Sequence, residues 1–386
     1  MIVTYLFSSP EGDISLDPED LSRPFLVAPE KAHPHLTLGD YFDTLRNCIL
    51  EDEGKLLKRA LKSASHKNFN LEEIQKIQIR SEKHGVLYHL ASVEVITTKI
   101  AVKFTLSTAI SQKGQDCILR EHHILDRLNR HFQFSFLPEI YDIRKMTCRA
   151  TTGRPVEMVM LAAQWFEDYH EWHVTRDTSN DRQKIEIWDL KRGPRYASSG
   201  EASLIIEECS KILALYYDFI NFNHIGAWHH AAGDFIVKCP RGHKPEVKLT
   251  TVRKYAPLMP GFFEKKGNPA IAFVYFFLDT TLRMRLDRLD GVGEMVWLDD
   301  FAVAATVKGV FEGLRPGEPK GDDNAGKRAD HLLSLLQSFD KTEFAQIFDP
   351  LLAHWAPQGS NEMDLISAHI ADHTRSLHRA LQDFHE

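Results

Sequence analysis

Before about residue 165, β-branched and other apolar residues cluster in short runs. After it, they recur mostly at helical spacing. Ile77-Gln78-Ile79, Gly85-Val86-Leu87-Tyr88, Val93-Glu94-Val95-Ile96 and Ile100-Ala101-Val102-Lys103-Phe104 alternate or cluster such residues, which predicts three strands joined by turns. Gln115 to Asn129 carries Ile118, Ile124, Leu125 and Leu128 at helical intervals. Leu137 to Ile143 and Val156 to Ala162 read as two more strands. Beyond residue 165 a long apolar helix spans Glu201 to Asn221. A hairpin follows, Asp234 to Lys238 against Val247 to Thr250, with a turn at Pro240-Arg241-Gly242. Helices are expected at about 268–288, 301–313, 326–337, 342–354 and 361–384, with a polar surface loop at Gly317 to Gly326. The fold class is α+β: a small β-rich lobe with one helix, then a larger helical lobe.

Three segments follow from this pattern: 1–74, 75–163 and 164–386. In the first, Pro10, Pro18, Pro24, Pro29 and Pro34 predict an extended arm over 1–35, with one or two helices between about 39 and 64. Net charge is -7, which argues against nucleic-acid binding through overall charge. The five cysteines are scattered, odd in number and form no CxxC pair, which fits a reducing, cytoplasmic setting. The chain has no apolar run of about 18 residues, so neither a membrane span nor a membrane partner is expected. Met1 to Phe7 lacks a basic flank and does not read as a signal peptide.

Four residue groups bear on chemistry. Ile100-Ala101-Val102-Lys103 puts a lysine on a strand. Glu121, in Arg120-Glu121-His122-His123, lies 18 residues later on a helix. Val156 to Ala162 leads into Gln164-Trp165-Phe166. Trp228-His229-His230-Ala231-Ala232-Gly233-Asp234 follows the long helix and opens the hairpin. Together these resemble the protein-kinase-like superfamily, nearest its aminoglycoside-phosphotransferase or small-molecule-kinase branch. That resemblance implies a two-lobed fold with an ATP cleft. In it Lys103 would hold the phosphates, Glu121 would hold Lys103, and Gly85 would lie under the nucleotide. Gln164 and Phe166 would flank the adenine, and Asp234 would bind Mg²⁺. His229, where the family has its catalytic aspartate, or His230 would orient or deprotonate the acceptor. The implied partners are a nucleotide and an unknown small molecule or protein.

The departures are as informative. Arg80 and Glu82 stand at the first two glycine positions of the phosphate loop, and a glutamate beneath phosphates repels them. Thr251 stands where the D-F-G aspartate belongs, and a neutral hydroxyl is a poor Mg²⁺ ligand. No long activation loop fits between Thr251 and Pro257. The rival reading is therefore a pseudokinase, a fold kept as a binding or regulatory module. His229, His230, Cys239 and His243 lie within 15 residues and form a candidate zinc set across the hairpin. The charge run Arg283 to Gly291 reads as a solvated, salt-bridged face, or more sharply as a phosphate or acidic-partner site.

Overall fold

The computed structural model describes all residues but 10–11, 29–30, 66–69, 86, 151–152, 178, 190, 260–266, 316–324, 356–360 and 386. Most of the loop expected at Gly317 to Gly326 thus lies outside the described residues. The chain divides into two units, Met1–Asn129 with Pro138–Glu167, and Arg130–Leu137 with Asp168–Glu386.

In the first unit a seven-stranded sheet carries helices on both faces. Its N-terminal elements are β1 (Ile2–Phe7), β2 (Ile14–Ser15), α1 (Pro18–Ser22), β3 (Pro24–Ala28), β4 (Lys31–Thr37) and α2 (Leu38–Ser65). Then come β5 (Ile74–His84), β6 (His89–Thr97), β7 (Ala101–Ala109), α3 (Gln112–His131), β8 (Ile140–Cys148) and β9 (Val156–Gln164). The sheet order is β2-β1-β5-β6-β7-β9-β8. The arm expected over 1–35 is in fact structured, because β1 runs parallel to β5 from Ile2 opposite Lys76 to Phe7 opposite Ser81. Strand alternation sends Val102, Phe104 and Leu106 into the core with Phe42, Leu45, Ile49 and Leu57 of α2. Lys103 lies on the opposite side of β7. On that side Ile118 of α3 packs with Ala109, Val159 and Leu161.

Within α2 the backbone breaks. Asp52, Glu53 and Gly54 are all left-handed, with φ of 53°, 55° and 67°. Two consecutive non-glycine residues in this region cost roughly 1–2 kcal/mol each. Arg144 braces the break, contacting Glu51 and Asp52 at 3.3 Å and Asp142 at 2.8 Å.

The second unit opens with a three-stranded sheet that the helical reading of this region did not include: β10 (Trp172–Arg176), β11 (Gln183–Ile187) and β12 (Arg195–Tyr196). The long helix is α4 (Ser199–Leu215), shorter than expected, capped by Ser198 through its hydroxyl and by Glu201 in return. Next come β13 (His224–Gly226), β14 (Phe235–Lys238), β15 (Glu246–Leu249) and β16 (Lys254–Ala256). β14 and β15 form the expected hairpin, and β13 pairs with β16. The remaining elements are α5 (Pro269–Arg283), β17 (Leu286–Arg288), β18 (Met295–Trp297), α6 (Phe301–Leu314), α7 (Ala325–Ser338), α8 (Lys341–Trp355) and α9 (Asn361–Asp383). α4 and α6 are the most closely packed helices because Gly309 and Gly313 lie against the carbonyls of Glu207 and Lys211.

The charge run Arg283 to Gly291 is not a solvated face. β17 threads the interior of this unit, so Arg285 and Asp287 are buried and must find partners there. Arg285 donates to the Leu298 carbonyl at 2.7 Å and to Asp300 at 3.0 Å. Asp287 accepts the backbone N–H groups of Val174 and Arg288, at 2.9 and 2.8 Å.

Candidate functional site

Each unit holds one of the charged groups singled out in the sequence. In the first, Lys103 sits on β7 with its ammonium 3.7 Å from the centre of the Trp165 ring. Its ion-pair partner is Glu82 of β5, at 3.3 Å, and not Glu121. Strand alternation puts Glu82 on the side of β5 that carries Gln78, which pairs across Glu94 with Lys103. The Ser92 hydroxyl donates to the same carboxylate, and Arg80 lies 3.6 Å from it. Burial lowers the Lys103 pKa from its ordinary value, and Glu82 opposes that shift. Glu82 thus supplies a negative charge at the Lys103 ammonium.

Glu121 is buried on the inner face of α3, where the Tyr88 hydroxyl donates to it at 3.2 Å. Gly85 lies in the β5–β6 turn, and its N–H donates to the Tyr88 carbonyl at 3.1 Å. That turn rests on α3, since a methyl group at Gly114 would overlap the Leu87 carbonyl. Gln164 ends β9 and pairs through its backbone N–H with the Glu139 carbonyl at 2.8 Å. Phe166 follows it and is 9% exposed.

In the second unit Asp234 is 1% exposed and fully engaged. Its Oδ2 accepts from Arg253 at 2.6 Å and from the His229 backbone N–H at 2.8 Å, while Oδ1 accepts from Arg253 at 2.7 Å. Arg253 also donates to the carbonyl of Ala227, a non-glycine residue held at φ 59°. This bidentate guanidinium is a permanent cation at the carboxylate expected to bind Mg²⁺.

His229 has both ring nitrogens occupied. Nδ1 accepts from the Ala231 N–H at 3.1 Å, and Nε2 lies 3.1 Å from Glu362 at the start of α9. The first contact fixes the tautomer and leaves Nε2–H to donate. Its hydrogen bond to His229 lowers the pKa of Glu362, against the effect of burial. The ring braces a turn and anchors α9. His230 is a core side chain, packed among Trp172, Trp228 and Phe235 with ring centres 4.6–5.8 Å away. Burial pushes its pKa down to about 4.

Among the described residues His229, His230, Cys239 and His243 do not converge as a metal site. The set that does is Glu207, Glu208 and Glu312. Lysines already neutralise it: Lys308 is 2.9 Å from Glu207, and Lys211 is 3.5 Å from Glu208 and 3.7 Å from Glu312.

Several important partners escaped the sequence. Arg253 was visible only as a basic residue two places after Thr251, and Glu362 lies 133 residues from His229. A third group had no signal at all: His173 lies 3.6 Å from both Asp287 and Glu171. Burial disfavours its charge, but the two carboxylates outweigh that and raise its pKa to about 9.

The chain matches no family model. It also matches no curated protein.

Proposed function

We propose that this is a kinase-like protein that no longer transfers phosphate and serves as a binding or regulatory module. The observation that carries this reading is the Arg253–Asp234 pair, which puts a guanidinium where Mg²⁺ would need an open carboxylate. Glu82 on Lys103 is the matching substitution of a built-in charge for a ligand's charge. The kinase-like part is supported by element order. A β-rich unit that carries Lys103 on β7, with α3 following that strand, comes first. A long helix, a strand, a loop ending in Asp234 and a hairpin then follow. The pairing of β13 with β16 brings Arg253, just before β16, back to that loop. Five free cysteines support a reducing, cytoplasmic setting. Among the described residues no helix is long and apolar enough to cross a membrane.

The alternative is an active phosphotransferase on a small-molecule acceptor, using ATP and Mg²⁺. It is favoured by the presence of both Lys103 and Asp234. It requires Arg253, whose side chain is 24% exposed, to swing away from the carboxylate. Release of inorganic phosphate from ATP, with Mg²⁺ or Mn²⁺ and a panel of alcohol and amine acceptors, separates the two. The module reading expects no rate above buffer. Turnover that Asp234→Asn abolishes would establish the phosphotransferase.

A further inference from the structure

The first unit contains a cavity of about 490 Å³ away from Lys103, where β4, the β8–β9 hairpin and the first turn of α3 meet. This is an ordinary size for a small-molecule pocket. Ile110 and Val156, both half-buried, give it an apolar wall, and Lys145 and Arg154 stand on its rim. Both cations are exposed, and neither has a carboxylate within ion-pair distance among the described residues. Glu157 also lines the cavity, and the Thr147 hydroxyl donates to it at 2.7 Å.

The histidine wall is built rather than incidental. His33 Nδ1 accepts the backbone N–H groups of His35 and Leu36, each at 3.2 Å, which leaves Nε2–H as a donor. Burial first, and then His35, lowers the His33 pKa, so at neutral pH it donates as an uncharged group. His35 packs on Gly153, where any side chain would collide with its ring.

We infer that this cavity binds a small organic anion, its phosphate or carboxylate group held by Lys145, Arg154 and His33 and its apolar body lying against Ile110 and Val156. Arginine and lysine at the rim of a pocket of mixed lining favour that combination over a neutral or cationic ligand, because a charge-assisted contact gains strength beside apolar surface.

Calorimetric titration of the full chain with phenyl phosphate, benzoate and benzyl alcohol tests this. The inference expects saturable one-to-one binding of at least one anion and binding of benzyl alcohol weaker by about tenfold or more. The variants Lys145→Ala and Arg154→Ala should each weaken anion binding about tenfold at unchanged melting temperature. Preference for phenyl phosphate over benzoate would identify the headgroup as a phosphate, and the reverse a carboxylate. Absence of saturation by either anion at about 10 mM overturns the inference, as does an unchanged titration in Arg154→Ala.

Discussion

Arg253 grips both carboxylate oxygens of Asp234, at 2.6 and 2.7 Å, while the carboxylate itself is almost fully buried. Breaking such a pair from one side leaves an uncompensated buried charge. Arg253→Ala should therefore lower unfolding stability by about 3 kcal/mol in urea melts. Asp234→Asn, which can still accept the His229 N–H, should cost less. The double variant should cost less than the two singles together. Arg253→Ala should also gain a stabilising response to Mg²⁺ that the native chain lacks. A stability loss below about 0.5 kcal/mol would show that the pair is incidental.

The buried histidines set opposite pH limits. The pKa of His173 is raised to about 9, so its contribution is complete below the unfolded value of about 6.5. It fades as pH rises toward 9. Burial lowers His89, His224 and His230 to about 4 and His373 to about 3. Their neutral forms support folding above pH about 6.5, and that support is lost as pH falls toward 4. Stability should peak near neutrality, with a loss of roughly 3 kcal/mol from His173 on the alkaline side. Melting temperature against pH checks this, and His173→Gln should flatten the alkaline limb alone.

Helices α4 and α6 meet across Gly309 and Gly313. A methyl at Gly309 would overlap the Glu207 carbonyl, and one at Gly313 would sit 2.6 Å from the Lys211 carbonyl. Gly309→Ala should cost about 2–3 kcal/mol, because the helices must separate. Gly200→Ala, with open space around it in the first turn of α4, should be neutral or mildly stabilising. Equal unfolding midpoints for the two variants would refute the close-packed seam.

Glu82 supports the ammonium form of Lys103 against burial. Glu82→Gln should lower the Lys103 pKa further and raise its trinitrophenylation by trinitrobenzenesulfonate several-fold at mildly alkaline pH. Peptide mapping of modified lysines reads this directly. Unchanged labelling of Lys103 would mean that the contact carries no electrostatic weight.

Much of the α+β framework was legible because it rests on local periodicity. The runs around Ile77, Val93 and Val102 became β5, β6 and β7, and helices α5 to α9 appear close to where their apolar spacing put them. What failed was non-local. β1 reads as part of an extended arm until Lys76 to Ser81 provide a strand to pair with. β11 and β12 are too short or too polar to announce a sheet. The candidate site was legible as residue types and not as partners. Lys103, Glu121 and Asp234 stood out as residue types, but not which group each would meet. Glu82 reaches Lys103 across an intervening strand, and Arg253 reaches Asp234 through the β13–β16 pairing. No spacing rule carries such information.

The most direct test of the idea that Glu82 and Arg253 replace ligand and metal is the melting temperature of the native chain with millimolar ATP, in Mg²⁺ and in EDTA. With Asp234 closed by Arg253, the two melting temperatures should agree to within about 1 °C. A rise of several degrees that requires Mg²⁺ and disappears in Asp234→Asn would show that the carboxylate opens to metal, contradicting the account.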